Sequence, residues 1–195
     1  MTREEFIEIL RGENRKYRVT GYSYEIEGDK IVITHDDNVW LTELKSLPPG
    51  VEFRNEGDVD LRALETLPPG VEFKNGGYVG LNSLKTLPPG VEFMNKGDVD
   101  LDSLRTLPSV VEFRNEANVN LYSLKTLPPG VVFRNGDDVN LDSLEKIPLG
   151  VEFKNGDDVN LGQIFRVWFK DWPGNIEGID SKRLLNLMIS KGMFI

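Results

Sequence analysis

The sequence predicts a mainly β fold: a repeat β-solenoid of about seven coils of 20 residues, with a helical cap at each end. Three observations lead to this prediction. The chain repeats itself at a fixed period, apolar residues alternate within each repeat, and prolines gather at one slot of the repeat. A repeat this short cannot bury its apolar side alone, whereas stacked copies share one continuous core.

The repeat unit opens with a Leu-Pro-Pro-Gly-Val corner or a variant of it, at Leu47, Leu67, Leu87, Leu107, Leu127 and Ile147. A degenerate copy precedes these six, with His35 in the slot that Asn55 fills one coil later. The chain therefore divides into three predicted segments. Residues 1–26 form a cap helix and an entry strand, residues 27–166 form the solenoid, and residues 167–195 form an aromatic and helical C-terminal cap.

Each coil contains two short stretches of alternating residues, which are typical of half-buried strands. Val51 and Phe53 face inward on the first strand of a coil, and Val59 and Leu61 face inward on the second. The Pro-Pro-Gly corner suits a turn, because proline lacks an amide hydrogen and glycine accepts positive φ. We expect stacked side-chain amides to hydrogen-bond along the axis in an inward column made of Asn55, Asn75, Asn95, Asn115, Asn135 and Asn155.

The ends of a solenoid expose apolar edges, so we expect caps there. Phe6 and Leu10 fall at helical spacing behind Thr2, which is a suitable N-cap residue. After Leu161 the repeat gives way to an aromatic cluster and a final apolar helix that ends near Gly192. This last helix either only caps the final coil or also forms a homodimer contact.

The unit Leu-Pro-x-Gly-Val-x-Phe-x-Asn-x-Gly-x-Val-x-Leu-x-Ser-Leu resembles the short leucine-rich-like repeats of bacterial and phage type, over most of the chain. It departs from the usual leucine-rich pattern because Asn55 falls two residues after Phe53. A weaker resemblance, to pentapeptide-repeat proteins, rests on one stretch per coil, such as Val119-Asn-Leu-Tyr-Ser. These resemblances imply a β-solenoid, with a leucine-rich-repeat horseshoe as the alternative.

Composition excludes several classes of function. The chain has no cysteine and one histidine, which excludes disulfide scaffolds, thiolate metal sites and two-histidine metal sites. A net charge of -9 argues against direct nucleic-acid binding, since each phosphate contact needs a cation. The sequence shows no signal peptide and no apolar run of the roughly 18 residues that a membrane span requires. We expect a cytoplasmic protein with no cofactor, no metal, no catalytic residues and no membrane contact.

The outward residues of the first strand predict a solvated, self-neutralised surface, because glutamates stack beside bases. The glutamates are Glu52, Glu72, Glu92, Glu112 and Glu152, and the bases are Arg54, Lys74, Arg114, Arg134 and Lys154. Two apolar residues, Met94 and Val132, interrupt these columns.

The outward side of the second strand, together with the corner before it, is here called the second face. Its acids are Asp36, Asp37, Glu56, Asp58, Asp60, Asp98, Asp100, Asp102, Glu116, Asp137, Asp138, Asp142, Asp157 and Asp158, and its bases are Arg62 and Lys96. Fourteen acids minus two bases leave -12, more than the -9 of the whole chain. Aromatic residues lie on the same surface, and such residues are common anchors of protein interfaces. The predicted partner-binding residues are Trp40, Asp58, Asp60, Tyr78, Asp98, Asp100, Asp102 and Tyr122.

These features predict a non-enzymatic scaffold that docks a basic protein surface, for example a phage-type inhibitor. One version is mimicry of DNA, in which an acidic rod occupies the site of a nucleic-acid enzyme. The opposing class is a metal-binding enzyme that uses aspartate columns such as Asp98, Asp100 and Asp102. Alternate strand residues lie about 7 Å apart, which is wide for one cation. The acids either keep the column soluble or form the docking surface, and the sequence leaves both readings open.

Overall fold

The computed structural model describes residues 1–17, 21–109, 111–162 and 164. Over these residues the chain forms a β-solenoid, with one strand of each coil in a first sheet and one in a second. Seven strand pairs are stacked, so about six full turns separate the first pair from the last. Two parallel sheets, rather than the single sheet of a horseshoe, confirm the predicted β-solenoid.

Helix α1 (Arg3–Leu10) and a 3-10 turn (Arg15–Tyr17) precede the sheets. The first sheet consists of β1 (Tyr24–Glu27), β2 (Lys30–Ile33), β4 (Val51–Phe53), β6 (Glu72–Phe73), β8 (Glu92–Phe93), β10 (Glu112–Phe113), β12 (Val132–Phe133) and β14 (Glu152–Phe153). The second sheet consists of β3 (Val39–Trp40), β5 (Val59–Asp60), β7 (Val79–Gly80), β9 (Val99–Asp100), β11 (Val119–Asn120), β13 (Val139–Asn140) and β15 (Val159–Asn160). β1 and β2 form an antiparallel hairpin, and the other pairings are parallel.

Inward residues stack in register from coil to coil. Six phenylalanine rings, from Phe53 to Phe153, form one column with ring centroids 5.2 to 5.5 Å apart. Val59 and Leu61 of the second strand are buried, as are their equivalents in the other coils. The corner glycines have positive φ angles, 74° at Gly50 and 86° at Gly130, which residues with a side chain rarely adopt. The predicted inside and the predicted turn are therefore confirmed.

The inward asparagines hydrogen-bond to the backbone rather than to one another, so the predicted ladder of stacked amides is wrong. Asn75 Nδ2 donates to the Gly57 carbonyl of the preceding coil at 3.0 Å, and to Gly77 and Tyr78 of its own coil at 3.0 and 3.1 Å. The same three donations recur at Asn55, Asn95, Asn115, Asn135 and Asn155. Carbonyls that turn inward at the second corner are thereby satisfied away from water.

Helix α1 caps the N-terminal end, as predicted. Thr2 and Glu5 form a capping box, in which each side chain accepts the backbone N–H of the other residue. Phe6, Ile9 and Leu10 are buried and join the core of the first coil. Covering that core removes the apolar end that a solenoid would otherwise leave in water.

The first strand of the second sheet has a polar edge that one tyrosine covers. The hydroxyl of Tyr22 accepts the N–H of Trp40 at 2.8 Å and donates to its carbonyl at 3.1 Å. Burial raises the pKa of Tyr22 by more than the backbone hydrogen bond with Trp40 lowers it, so the hydroxyl keeps its proton. His35, in the asparagine slot of this coil, packs edge-on against the Tyr22 ring, with centroids 5.1 Å apart. Tyr22 thus occupies the place of a neighbouring strand.

One glutamate of the first-strand column is buried, so the prediction of a uniformly solvated surface is wrong there. Glu52 has 0% exposure and accepts hydrogen bonds from Lys30 and Lys74 at 3.0 Å each and from Arg54 at 2.5 Å. Burial raises the pKa of Glu52, but these hydrogen bonds outweigh burial and lower it to about 2. On its other side Arg54 contacts Glu27 of the β1–β2 hairpin at 2.8 Å.

The last described coil ends with β15, after which Leu161 and Ile164 are buried. The aromatic and helical C-terminal cap predicted for residues 167–195 lies outside the described residues. The homodimer contact predicted for that cap lies outside them as well.

Candidate protein-binding surface

The eight predicted partner-binding residues lie on the second sheet and on the turns beside its strands. Parallel pairing sets Val39 beside Val59, Val79 beside Val99 and Val99 beside Val119, so residues twenty apart form columns along the axis. The eight residues occupy three such columns: Asp58, Tyr78 and Asp98; Trp40, Asp60 and Asp100; Asp102 and Tyr122.

Aspartates of the first column hold the backbone of the next coil. Oδ1 of Asp58 accepts the N–H of Tyr78 at 2.8 Å, and Oδ1 of Asp98 accepts the N–H of Asn118 at 2.9 Å. Asn118 and Asp138 repeat this contact in later coils. These half-buried side chains therefore have a structural role, which the alternation of residues along the strand did not reveal.

Asp60 is buried, so the prediction that it points into solvent is wrong. Its carboxylate accepts two hydrogen bonds from Nε of Arg62, at 3.0 and 2.8 Å, and a further one from Nη2. The backbone N–H of Arg62 also donates to it, at 3.0 Å. An aspartate neutralised within its own coil contributes little negative potential.

Asp100 is the centre of a hydrogen-bond cluster. It accepts from the Tyr78 hydroxyl at 2.8 Å and from Asn120 Nδ2 at 2.5 Å. The Tyr78 ring lies over Gly80, where an added Cβ would stand 2.7 Å from the ring. Burial, followed by the hydrogen bond to Asp100, raises the pKa of Tyr78. Tyr78 is therefore half-buried and held in place, rather than a free aromatic anchor.

An amide chain extends this cluster across the later coils. Asn160 Nδ2 donates to Asn140 Oδ1 at 2.6 Å, and Asn140 Nδ2 donates to Asn120 Oδ1 at 2.7 Å. Through Asn120 the chain ends on the Asp100 carboxylate. The sequence signal for it is the Val-Asn-Leu triplet repeated at twenty-residue spacing in three consecutive coils.

Asp102 combines partial burial with incomplete hydrogen bonding. Its Oδ2 accepts from Asn82 Nδ2 at 3.3 Å, while its Oδ1 is buried and has no hydrogen-bond partner among the residues described here. Burial, and secondly the charge of Asp100, raises the pKa of Asp102. A carboxylate in this environment costs the fold free energy.

Two aromatic side chains of the second face are exposed, as predicted from their outward positions. Trp40 is 60% exposed and Tyr122 is 41% exposed. Trp40 lines an open groove together with Thr42, Asp58, Asp60, Arg62 and Tyr78. The pKa of Tyr122 is raised by burial first, and then by the charges of Asp102, Asp142, Asp100 and Asp98. The Tyr122 hydroxyl therefore lies within the negative field of the surface.

The exposed carboxylates of the second face lie outside the predicted cluster. The exposed acids are Asp36, Asp37, Glu56, Glu116, Asp137, Asp142, Asp157 and Asp158, whereas Asp58, Asp98, Asp100 and Asp102 are half-buried and Asp60 is buried. From Glu116 onward the second face carries six of its acids and neither of its bases. These acids are not among the predicted contact residues, because counting charges does not show which carboxylates are exposed.

The described residues contain no group of three His, Asp or Glu side chains that could hold a metal ion. Among the helices of the described ranges, none is long and apolar enough to cross a membrane.

Comparison of the chain with protein-family models, with curated proteins and with solved structures finds no match.

Proposed function

We propose that this protein is a non-enzymatic scaffold that docks a basic protein surface through the second face, with the contact centred on its C-terminal coils. The observation that carries the proposal is Tyr122, an exposed ring whose neighbours in its column, one coil away on either side, are Asp102 and Asp142. Exposed aromatic rings supply buried contact area when a partner binds, and surrounding charges steer the approach of an oppositely charged partner.

The distribution of free carboxylates supports this location. Asp137, Asp142 and Asp157 make no side-chain ion pair within the described residues, and no base of the second face lies beyond Lys96. Adjacent coils stand about 4.8 Å apart, less than the Debye length of about 8 Å at physiological salt. Their repulsion is therefore retained in the free protein and would be relieved by a cationic partner.

The repeat unit resembles the leucine-rich-like repeats of bacterial and phage type, and we propose that the protein is related to them. An inhibitor that occupies a basic surface of its target is a role that such a rigid acidic column would suit. The rigidity comes from the stacked core and from the asparagines that bind three carbonyls each.

The test compares two triple charge reversals with the same change in net charge, from -9 to -3. Asp137→Lys, Asp142→Lys and Asp157→Lys alter the proposed surface, whereas Glu43→Lys, Glu65→Lys and Glu145→Lys alter exposed positions off it. Proteins captured by the wild type and by the control, but lost by the first variant, are the partners. With such a partner, association should slow at least about tenfold for the first variant only.

A single substitution separates anchoring from steering. Tyr122→Ala should leave the association rate nearly unchanged and raise the dissociation rate, because it removes an aromatic contact and no charge. If both triple variants lose the same partners, bulk charge explains capture and the proposed surface is wrong.

The alternative functions make different demands. If the protein mimics DNA, double-stranded DNA must compete with it for the captured partner. If instead it is a metal-dependent enzyme with ligands among Asp98, Asp100 and Asp102, calcium must raise the melting temperature, because a ligand that binds only the folded state stabilises it. If DNA does not compete for the partner and calcium does not raise the melting temperature, the protein is a protein-binding scaffold.

A further inference from the structure

The junction between the fourth and fifth coils is irregular, and it lies on the first sheet rather than on the second face. β8 and β10 align at one register pair, Phe113 with Phe93, whereas β12 aligns at two with both β10 and β14. The two phenylalanine rings are 5.5 Å apart and tilted by 14°, against 5.2 to 5.3 Å and 3 to 5° for the other neighbours in the column.

A ladder hydrogen bond is also missing at this junction. At three other junctions this bond runs from an N–H of the first strand to the preceding coil: Glu92 donates to the Val71 carbonyl at 3.1 Å, Val132 to Val111 at 3.1 Å, and Glu152 to Val131 at 3.0 Å. Among the described residues no equivalent bond joins Glu112 to Val91, although Arg114 still donates to Phe93 at 3.0 Å. The two coils are therefore separated on one side of the phenylalanine column.

A cavity of 270 Å³ opens where the ladder bond is missing. Apolar atoms of Val91, Met94, Pro108 and Val111 form much of its wall, and Glu92, Glu112 and Arg114 line it as well. An engineered cavity of about 150 Å³ in another protein accepts benzene, so this one has room for a leucine side chain.

The sequence departs from its own repeat at the same place. Met94 occupies the slot that holds a base in each of the other five full coils, at Arg54, Lys74, Arg114, Arg134 and Lys154. Glu92 is consequently the one glutamate of its column with no cation within 4.0 Å in the described part of the chain. The next corner reads Pro-Ser-Val in place of Pro-Pro-Gly, though position 110 itself lies outside the described residues.

Local departures that cost regularity in a repeat, with no compensating contact, are typical of functional sites. Lysine or arginine at position 94 would pair with Glu92, as Arg114 pairs with Glu112 of its own coil at 2.8 Å. Methionine instead adds flexible apolar surface beside an unpaired carboxylate, and methionine is common at surfaces that bind varied apolar side chains.

We propose that this cavity is a second docking site, which binds an apolar side chain flanked by a basic residue of a partner polypeptide. The apolar side chain enters between the fourth and fifth coils, and the neighbouring cation pairs with Glu92. Arg114 and Glu112 already bind each other at 2.8 Å, so the rest of the rim is neutral. This site does not depend on the function proposed for the second face.

The probe is the capped peptide Gly-Lys-Leu-Lys-Gly, titrated to about 10 mM and followed by amide chemical shifts, a range suited to a Kd near 1 mM. We expect the largest shifts at Glu92, Met94 and Arg114. The matched peptide Gly-Lys-Ala-Lys-Gly should bind about tenfold more weakly, because burial of the leucine side chain is lost. Gly-Glu-Leu-Glu-Gly should also bind more weakly, and Glu92→Gln should remove that preference.

Met94→Arg restores the residue of the regular repeat, so it should keep the fold and abolish the peptide shifts. The proposal is overturned by equal binding of the leucine and alanine peptides, by full binding to Met94→Arg, or by no shift at about 10 mM. The triple reversal of Asp137, Asp142 and Asp157 should leave the shifts unchanged. If that variant abolishes them, the peptide binds the second face and this site is refuted, while the function proposed for that face stands.

Discussion

Exchanging one buried nitrogen for oxygen, as in Asn135→Asp, tests how the second corner is held. Asn135 is 1% exposed, and its Nδ2 donates to the carbonyls of Ala117, Asp137 and Asp138 at 3.1, 3.0 and 2.9 Å. A carboxylate of the same shape would face three carbonyl oxygens without a hydrogen to donate. The substitution therefore changes the chemistry of the corner and leaves its volume nearly unchanged.

The expected loss of stability follows from those three contacts. A protonated aspartic acid restores one donation and leaves two carbonyls unsatisfied, at about 1–3 kcal/mol each. Keeping that carboxyl protonated at pH 7, against an ordinary pKa near 3.9, adds up to about 4 kcal/mol. We expect a loss of at least about 2 kcal/mol at pH 7, to be set against the roughly 5–15 kcal/mol that stabilises a typical domain. Because burial raises the pKa in the folded state, the added penalty disappears as the pH falls towards the unfolded-state pKa.

The matched control is Asn118→Asp, the same chemical change at a position where only an acceptor is used. Asn118 Oδ1 accepts the N–H of Asp138 at 3.0 Å, and the aspartates Asp58 and Asp98 make this contact in their own coils. Guanidinium unfolding followed by circular dichroism, at pH 7 and pH 4, should show a change within about 1 kcal/mol for the control. Equal losses in the two variants, or a loss for Asn135→Asp that does not shrink at pH 4 relative to the control, would refute the reasoning.

Three further predictions concern the core, the buried charge and the sheet edge. Phe93→Ala should lower the free energy of unfolding by about 3–5 kcal/mol, because it removes a ring from the column. Glu92→Ala should lower it by under about 0.5 kcal/mol, and equal losses would contradict the assigned inside and outside. The depressed pKa of Glu52, about 2 in the folded state, should contribute roughly 3 kcal/mol that is present above pH 5 and lost as the pH falls towards 2. Glu52→Gln should reduce the loss of stability at acidic pH in a series of unfolding curves, and an unchanged loss would show that other carboxyls cause it. Tyr22→Phe should speed hydrogen exchange of the Trp40 amide and lower stability by about 1–3 kcal/mol, with unchanged exchange counting against the edge-capping role.

Much of the fold could be predicted from the sequence because every coil carries the same pattern of apolar and polar residues. Six copies of the same apolar slots leave one consistent inside, and the Phe53 to Phe153 column follows from it. The N-terminal helix was predictable for a local reason, since Thr2 and Glu5 form a capping box within one turn. The hydrogen bonding of the asparagines was not predictable, because it depends on where the corner carbonyls point.

The candidate surface was predicted only in outline. Counting charges located the acidic side, but Asp60 is neutralised by Arg62, and Asp58 and Asp98 are bound to backbone amides. Glu52 is buried and bound by Lys30 of the hairpin, while Glu27 of the same hairpin binds Arg54, and both contacts span sequence separations that the twenty-residue period does not encode.

The period, the inward residues, the proline and glycine corners and the sign of charge on each side follow from the sequence, because those properties depend on residue type and spacing alone. The three-dimensional contacts are needed to know which carboxylates are exposed, which tyrosine covers the edge of a sheet and where two coils separate. Those outcomes depend on contacts between coils and with the N-terminal hairpin, where one oxygen either reaches a donor or does not. A repeat sequence shows what its coils have in common, and the contacts between particular coils distinguish one coil from the next.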